Sequence, residues 1–273
     1  MSGPLVARPA LADPWQALRE RTAARIALGR AGAALPTAAL LAFELDHARA
    51  RDAVHRPLDV DAMRRALDGA VDAPGRALAL HSAAADRATY LLRPDLGRRL
   101  DDASRVRVAD AAREAGPCDV LFVVADGLSS LGVERHAAAL LQATLPLLAG
   151  LAIGPPVVAV EARVALGDEV GAAFGARVAV VLIGERPGLT SPDSVGAYLT
   201  FDPVVGRHDA ERNCISNIRP EGLAPAAAAA KLSWLIRAAL RLALSGVALK
   251  DDSALVEGAP SPDRGASTPG GAG

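Results

Sequence analysis

The sequence predicts an α/β fold: a Rossmann-like, mostly parallel sheet flanked by helices, behind a helical N-terminal region. Three observations carry this. "VLFVV" (120–124), "PVVAV" (156–160) and "VAVVLIG" (178–184) are short, unbroken and β-branched, the pattern of strands buried on both faces. Longer helix-like segments lie between them, "SSLGVERHAAALLQATLPLLAG" and "GDEVGAAFGA", so the strands are expected to join through βαβ crossovers. Residues 13–70 have no such runs and read as helices.

Each element has its own signal. Asp13-Pro14-Trp15-Gln16 is a helix start, with Asp as cap, Pro at the first helical position and Gln completing a capping box. This helix should end by Gly29–Gly32. Pro36-Thr37 opens a second helix, with Leu40, Leu41, Phe43 and Leu45 as its apolar residues. Asp59 caps a short third one. Pro146 should kink or end the helix after the first strand. The last helix, about 226–244, carries Leu232, Leu235, Ile236, Ala239, Leu240 and Ala243 on one stripe, with Arg237 and Arg241 off it and Gly246 as C-cap. Beyond Asp252 the chain has little to bury and should be disordered. The expected organisation is a flexible lead (1–12), a helical region (13–75), an α/β domain (76–252) and a tail (253–273).

Composition narrows the function classes. A formal net charge of −1 in 273 residues gives no basic field for nucleic acid or an anionic membrane. Two cysteines cannot build a disulfide framework and fit a reducing compartment. The first residues lack a basic region followed by an apolar one, so no signal peptide is read. No apolar run is long enough to span a bilayer. The cytoplasm is the expected location.

The chemistry should sit where open parallel sheets hold ligands, outside the carboxyl ends of the strands. Three loops lie there: "ADGLSS" (125–130), "EARVALGDE" (161–169) and "GERPGL" (184–189). Gly127 and Gly188 would let backbone come close to a ligand, although strand-end carboxylates are also common helix caps. No G-x-G-x-x-G follows a strand and no P-loop occurs, which weakens a dinucleotide or phosphate enzyme. "GAAFGAR" reads as helix packing or a helix end. G-x-S-x-G is absent. His47, His55, His81, His136 and His208 share no metal spacing with each other or with the cysteines. "ERNCISNIRPEG" (211–222) is the second dense polar stretch. Its Cys214 reads first as a small packed hydrophobe or ligand-lining residue. Arg212 nearby could lower the thiol pKa, but no histidine adjoins it.

Taken together, "DPWQALRERTAARIALGRAG", "TYLLRPDLGRRL", "VADGLSS", "GDEVGAAFGARVAVVLIGERPGL", "GAYLTF" and "RNCISNIRPEG" resemble, in order and spacing, the small (light) subunit of ethanolamine ammonia-lyase. The resemblance covers about residues 13–251. "LIGERPGL" and "NCISNI" are its specific motifs. It implies a carbon–nitrogen lyase that uses adenosylcobalamin to convert ethanolamine to acetaldehyde and ammonia. It implies a large-subunit partner, a TIM barrel holding the substrate and the main catalytic residues, in a hetero-oligomer with six copies of each chain. The small subunit then covers the corrin. By motif matching, the corrin contacts fall on Val164, Glu185 and Cys214, with Val164 in an Ala-Arg-Val context where the family often has Gly-Arg-Val. No D-x-H-x-x-G occurs, as expected for a family that keeps the nucleotide base on cobalt. Many members work inside bacterial microcompartments, some addressed by an extra N-terminal segment; here the lead before Asp13 is short and proline-broken. Two other readings compete: a stand-alone α/β enzyme with another nucleotide cofactor, and a structural partner that never touches cofactor.

Overall fold

A computed structural model describes residue 13 and residues 15–22, 24–71 and 77–251. The expectations for the lead and the tail, and for Pro14, lie outside these residues.

The N-terminal region is helical only in part. Gln16–Arg21 forms one short 3₁₀ stretch with no buried residue, and Thr22 is already extended. The long helix expected up to Gly29–Gly32 does not form. The Asp13 carboxylate accepts from the Trp15 N–H at 2.9 Å, but Arg19, Arg21 and Arg25 interrupt any continuous apolar face, and a helix this short needs tertiary packing to persist. Helix α1 (Thr37–His55) starts at Pro36 as expected, yet Ala53 is its one buried residue. Helix α2 (Val60–Ala70) is capped by Asp59, whose carboxylate accepts from the Ala62 N–H at 2.9 Å, and it buries Met63 and Leu67.

One sheet of six strands follows: β1 (Leu78–His81), β2 (Val120–Ala125), β3 (Val157–Val160), β4 (Val178–Gly184), β5 (Val195–Phe201) and β6 (Arg212–Ile218). Their order is β1-β3-β2-β4-β5-β6. The first four in that order run parallel, β5 is antiparallel to β4, and β6 is antiparallel to β5 and so runs with the first four. The three β-branched runs are β2, β3 and β4, as predicted. Between the strands lie α3 (Arg87–Leu92), α4 (Asp102–Ala115), α5 (Ser130–Thr144) and α6 (Leu166–Ala173), with α7 (Pro225–Leu242) after β6. Helix α5 gives way at Pro146 to a 3₁₀ turn, Leu145–Leu148.

Side chains alternate across the strands and feed two cores. Phe122, Val180, Leu182, Leu199 and Ile215 meet α2, α5 and α7 on one face. Leu121, Val123, Val181 and Ile183 meet α4 and α6 on the other. Each such side chain contributes about 1.5–3 kcal/mol on burial. On the second face no helix among the described residues covers the ends of β5 and β6, so Tyr198 is only partly buried and Cys214 is exposed.

Helix α7 ends at Leu242, two residues short of the expected 244. Ala243, not Gly246, takes the left-handed cap position, with φ 55°, and it is exposed. Ser245 fixes the chain beyond it: its hydroxyl accepts from the Phe201 N–H at 2.9 Å and donates to the Glu211 carbonyl at 2.5 Å. Gly246 is a glycine because a Cβ there would lie 2.1 Å from the Ala210 carbonyl oxygen.

Candidate functional site

The three loops singled out in the sequence meet at the carboxyl ends of β2, β3 and β4. The loop after β2 lies flat on the end of β4. The Leu128 N–H donates to the Gly184 carbonyl at 2.9 Å. Gly127 has φ 56°, and a Cβ on it would lie 2.3 Å from that carbonyl oxygen. A Cβ on Gly184 would lie 2.0 Å from the Ser129 carbonyl oxygen. Gly127 is therefore needed for backbone packing on backbone, and it also lines the cleft described below. Gly188 closes a turn with Ser191 through two backbone bonds, at 2.9 and 3.2 Å.

Chain reversal in an α/β sheet leaves a crevice where successive connections leave on opposite faces. Here that point lies between β2 and β3, and it is filled by protein. Arg87, at the start of α3, reaches in and donates through Nη1 to the Glu161 carboxylate at 2.9 Å and the Gly127 carbonyl at 2.9 Å, with Asp126 at 3.5 Å. Its Nε donates to the Val54 carbonyl at 2.6 Å, which ties the end of α1 to the site. The Asp126 carboxylate accepts from the Glu161 and Ala162 N–H groups at 3.0 and 3.2 Å. Burial, and then the neighbouring Glu161 charge, pushes the Asp126 carboxyl up to about 6. Glu161 sits in a left-handed conformation, φ 52°, held by this network. Two guanidinium groups lie over the Tyr90 ring, with Arg163 4.2 Å and Arg87 4.9 Å from its centre, and its hydroxyl donates to the Ala162 carbonyl at 3.2 Å. Burial raises the Tyr90 phenol well above its ordinary value.

The open cleft lies one strand further along. It holds about 400 Å³ and is lined by Arg163 and Val164 from the loop after β3, Gly184 and Glu185 at the end of β4, and Tyr198 from β5. Of the three residues expected to act together, Val164 and Glu185 share this wall. Cys214 does not line it. It stands on β6 directly opposite Tyr198 in the antiparallel ladder, so the phenol links the cysteine to the cleft.

Both Glu185 oxygens accept from the Asn217 N–H at 3.1 Å. Arg186 is exposed and pairs with no carboxylate among the described residues, so it does not hold Glu185. Cys214 is not the buried small hydrophobe first expected: it is exposed, while Cys118 is the buried cysteine. Arg212 does not activate it either. That guanidinium is bound bidentately to Asp168 at 2.6 and 2.7 Å and to the Thr200 hydroxyl at 2.8 Å. Partial burial of the sulfur raises the Cys214 thiol; the Tyr198 hydroxyl works against that and the Glu185 charge with it. At neutral pH Cys214 is a thiol, and the site has acceptors and an apolar wall but no nucleophile. No group of side chains suited to a metal ion occurs among the described residues, and no helix there is long and apolar enough to cross a membrane.

Tyr198, Arg87 and the Asn217 N–H were not visible as site components. Tyr198 lies on a strand that was not read as one. Arg87 is marked by nothing but its place after Asp86, which caps α3 through the Thr89 N–H at 2.7 Å. Asn217 lay within a motif already noted, and its local signal is an asparagine where the backbone turns left-handed.

Residues 12–250 match the family model for the ethanolamine ammonia-lyase light chain (EutC). The chain belongs to this family. It is thus a subunit of a lyase. The light chain is 55% identical over 253 residues to the ethanolamine ammonia-lyase small subunit of Azotobacter vinelandii, covering 90% of this chain and 91% of that one. It is 56% identical over 250 residues to the small subunit of the same name from Ralstonia nicotianae, with 88% of each chain covered. It is 54% identical over 257 residues to that of Bradyrhizobium diazoefficiens, covering 93% and 95%.

Proposed function

We propose that the cleft between Val164, Glu185 and Tyr198 receives the edge of adenosylcobalamin in an ethanolamine ammonia-lyase formed with a large subunit. The observation that carries this is the meeting of Val164 and Glu185 on one wall, with Cys214 beside it across the β5–β6 ladder. The residues suit a corrin rim. Val164 offers an apolar contact, and the Glu185 oxygens keep lone pairs free for side-chain amide N–H groups. A cleft of about 400 Å³ takes a rim of so large a ring and not the whole of it, which fits a chain that covers a cofactor held mainly elsewhere. When bound, adenosylcobalamin supplies the organic radical by homolysis of its cobalt–carbon bond. The light chain binds, orients and excludes water; its thiol and its carboxylates have no proton to move in the reaction.

The docking arm of this assembly is the N-terminal region. Leu40, Leu41, Phe43 and Leu45 are all exposed on α1, and Trp15 and Leu18 on the segment before it. This surface suits a large interface with another chain. The proposed assembly is a hetero-oligomer with six copies of each subunit, which native mass spectrometry of the co-expressed complex would test.

Co-expression with a large subunit, assayed with and without adenosylcobalamin, tests the reading. Acetaldehyde and ammonia are expected when both chains and cofactor are present. Glu185→Ala and Val164→Asp in the assembled enzyme are expected to weaken adenosylcobalamin binding at least tenfold with assembly intact. Unchanged affinity in both would favour a purely structural light chain.

A further inference from the structure

The two most specific sequence motifs, around Glu185 and Asn217, are joined by one hydrogen bond. We propose that Asn217 is the positioning residue for the Glu185 carboxylate, holding it toward the cleft through its backbone N–H. This rests on Glu185 being a corrin contact.

The donor is available because of a defect in the ladder. Between β5 and β6 the register slips, so that Val195 faces Ile218 while Ala197 faces Ile215. The extra residue on β6 bulges, and Asn217 adopts φ 56°. A bulge withdraws an N–H from the ladder and re-aims it. Here it points at both Glu185 oxygens, each 3.1 Å away. Asparagine tolerates the left-handed conformation better than other residues with a side chain, short of glycine.

The bulge is clamped from behind. The Leu223 N–H donates to the Asn217 carbonyl at 2.9 Å, and Arg219 Nε donates to Asn217 Oδ1 at 3.0 Å. Gly222 comes so close that a Cβ on it would lie 2.3 Å from the Asn217 carbonyl oxygen. On the other side Gly196 leaves room for the carboxylate, since a Cβ there would sit 3.1 Å from Glu185 Oε1. No cation among the described residues pairs with Glu185. Its direction therefore depends on this single shared N–H. One donor split between two oxygens leaves lone pairs on both for a ligand. A glutamate held in advance loses less rotamer entropy on binding than a free one.

Two measurements test this. In the full light chain alone, Glu185→Ala should speed hydrogen exchange of the Asn217 amide at least tenfold and leave that of Leu199 unchanged. In the assembled enzyme, adenosylcobalamin affinity should fall about tenfold for Asn217→Val, because a β-branched residue resists the left-handed conformation. Asn217→Gly keeps both the conformation and the N–H, so it should bind within about threefold of the parent. Unchanged Asn217 exchange in Glu185→Ala would overturn the link, whether or not the valine variant folds. Wild-type affinity in Asn217→Val, with Glu185→Ala binding weakly, would overturn the positioning role and leave the corrin contact standing. Wild-type affinity in Glu185→Ala would overturn the corrin contact, and the positioning role with it.

Discussion

The arm and the sheet domain contain similar proportions of leucine and alanine, but they use them differently. In the sheet domain every residue of β2 and β4 is buried. In the arm, α1 spans Thr37–His55 and buries Ala53 alone, while Leu41 is 59% and Leu45 51% exposed. A helix in a stable domain normally buries a stripe. Helix α1 meets the sheet domain at its far end through polar contacts, Arg87 to the Val54 carbonyl and Arg56 to Glu134 at 2.8 Å, whereas α2 packs Met63 and Leu67 into the core. One region carries its stability within the chain. The other leaves apolar surface exposed among the described residues.

The comparison is sharpest in stability measurements. Phe122→Ala removes a ring that is 1% exposed, and should cost the light chain alone about 3–5 kcal/mol in urea unfolding. Asp168→Ala should cost a similar amount, about 3–5 kcal/mol, because it strands an Arg212 guanidinium that is 2% exposed. Restoring neutrality with Asp168→Ala and Arg212→Leu together should recover part of that loss.

The site at the boundary of the two regions responds to pH. The Asp126 carboxyl is pushed up to about 6 from 3.8, so between those values the folded protein keeps a proton that the unfolded chain has lost. Stability from this group is full below about pH 4 and falls as pH rises to about 6, by about 3 kcal/mol in all. Asp126→Asn should flatten that slope in thermal unfolding from pH 4 to 7. A slope unchanged by the substitution would move its origin elsewhere.

In the arm the same kind of truncation should do almost nothing to the lone chain. Leu41→Ala is expected within about 0.5 kcal/mol of the parent in urea, yet should weaken capture by the large subunit in a pull-down titration. If it destabilises the lone chain as Phe122→Ala does, the contrast between the regions fails. The smallest effect is at Cys214. Burial and the Glu185 charge raise its thiol, so iodoacetamide should label it slowly at pH 7.5, and Glu185→Gln should speed labelling about twofold to threefold.

The sequence was legible where one physical effect dominates. β2, β3 and β4 are buried on both faces and read as unbroken β-branched runs. β1 is four residues with two polarities, β5 contains Gly196, and β6 is an edge strand whose bulge spoils its alternation, so periodicity could not find them. The first N-terminal helix departs from the sequence expectation because its capping pattern opens a segment that buries none of its own residues among those described. In the site, Glu185 and Val164 were legible through motifs. Arg87, Tyr198 and the Asn217 N–H were not, since each matters through contacts that cross from one element to another, as Arg87 reaches Glu161 over 74 positions.

The β5–β6 ladder also sets how this protein can tolerate insertions and deletions. Tyr198 and Cys214 face each other because both strands keep phase from the turn at 202–211. Added residues in that turn would leave the phase alone. One added residue between Tyr198 and the turn, by contrast, would roll Tyr198 onto the α5–α7 side or expel Leu199 from the core. Length in this part of the chain is therefore fixed to the single residue along the strands, while in the turn it is constrained only where Ala210 and Glu211 meet Gly246 and Ser245.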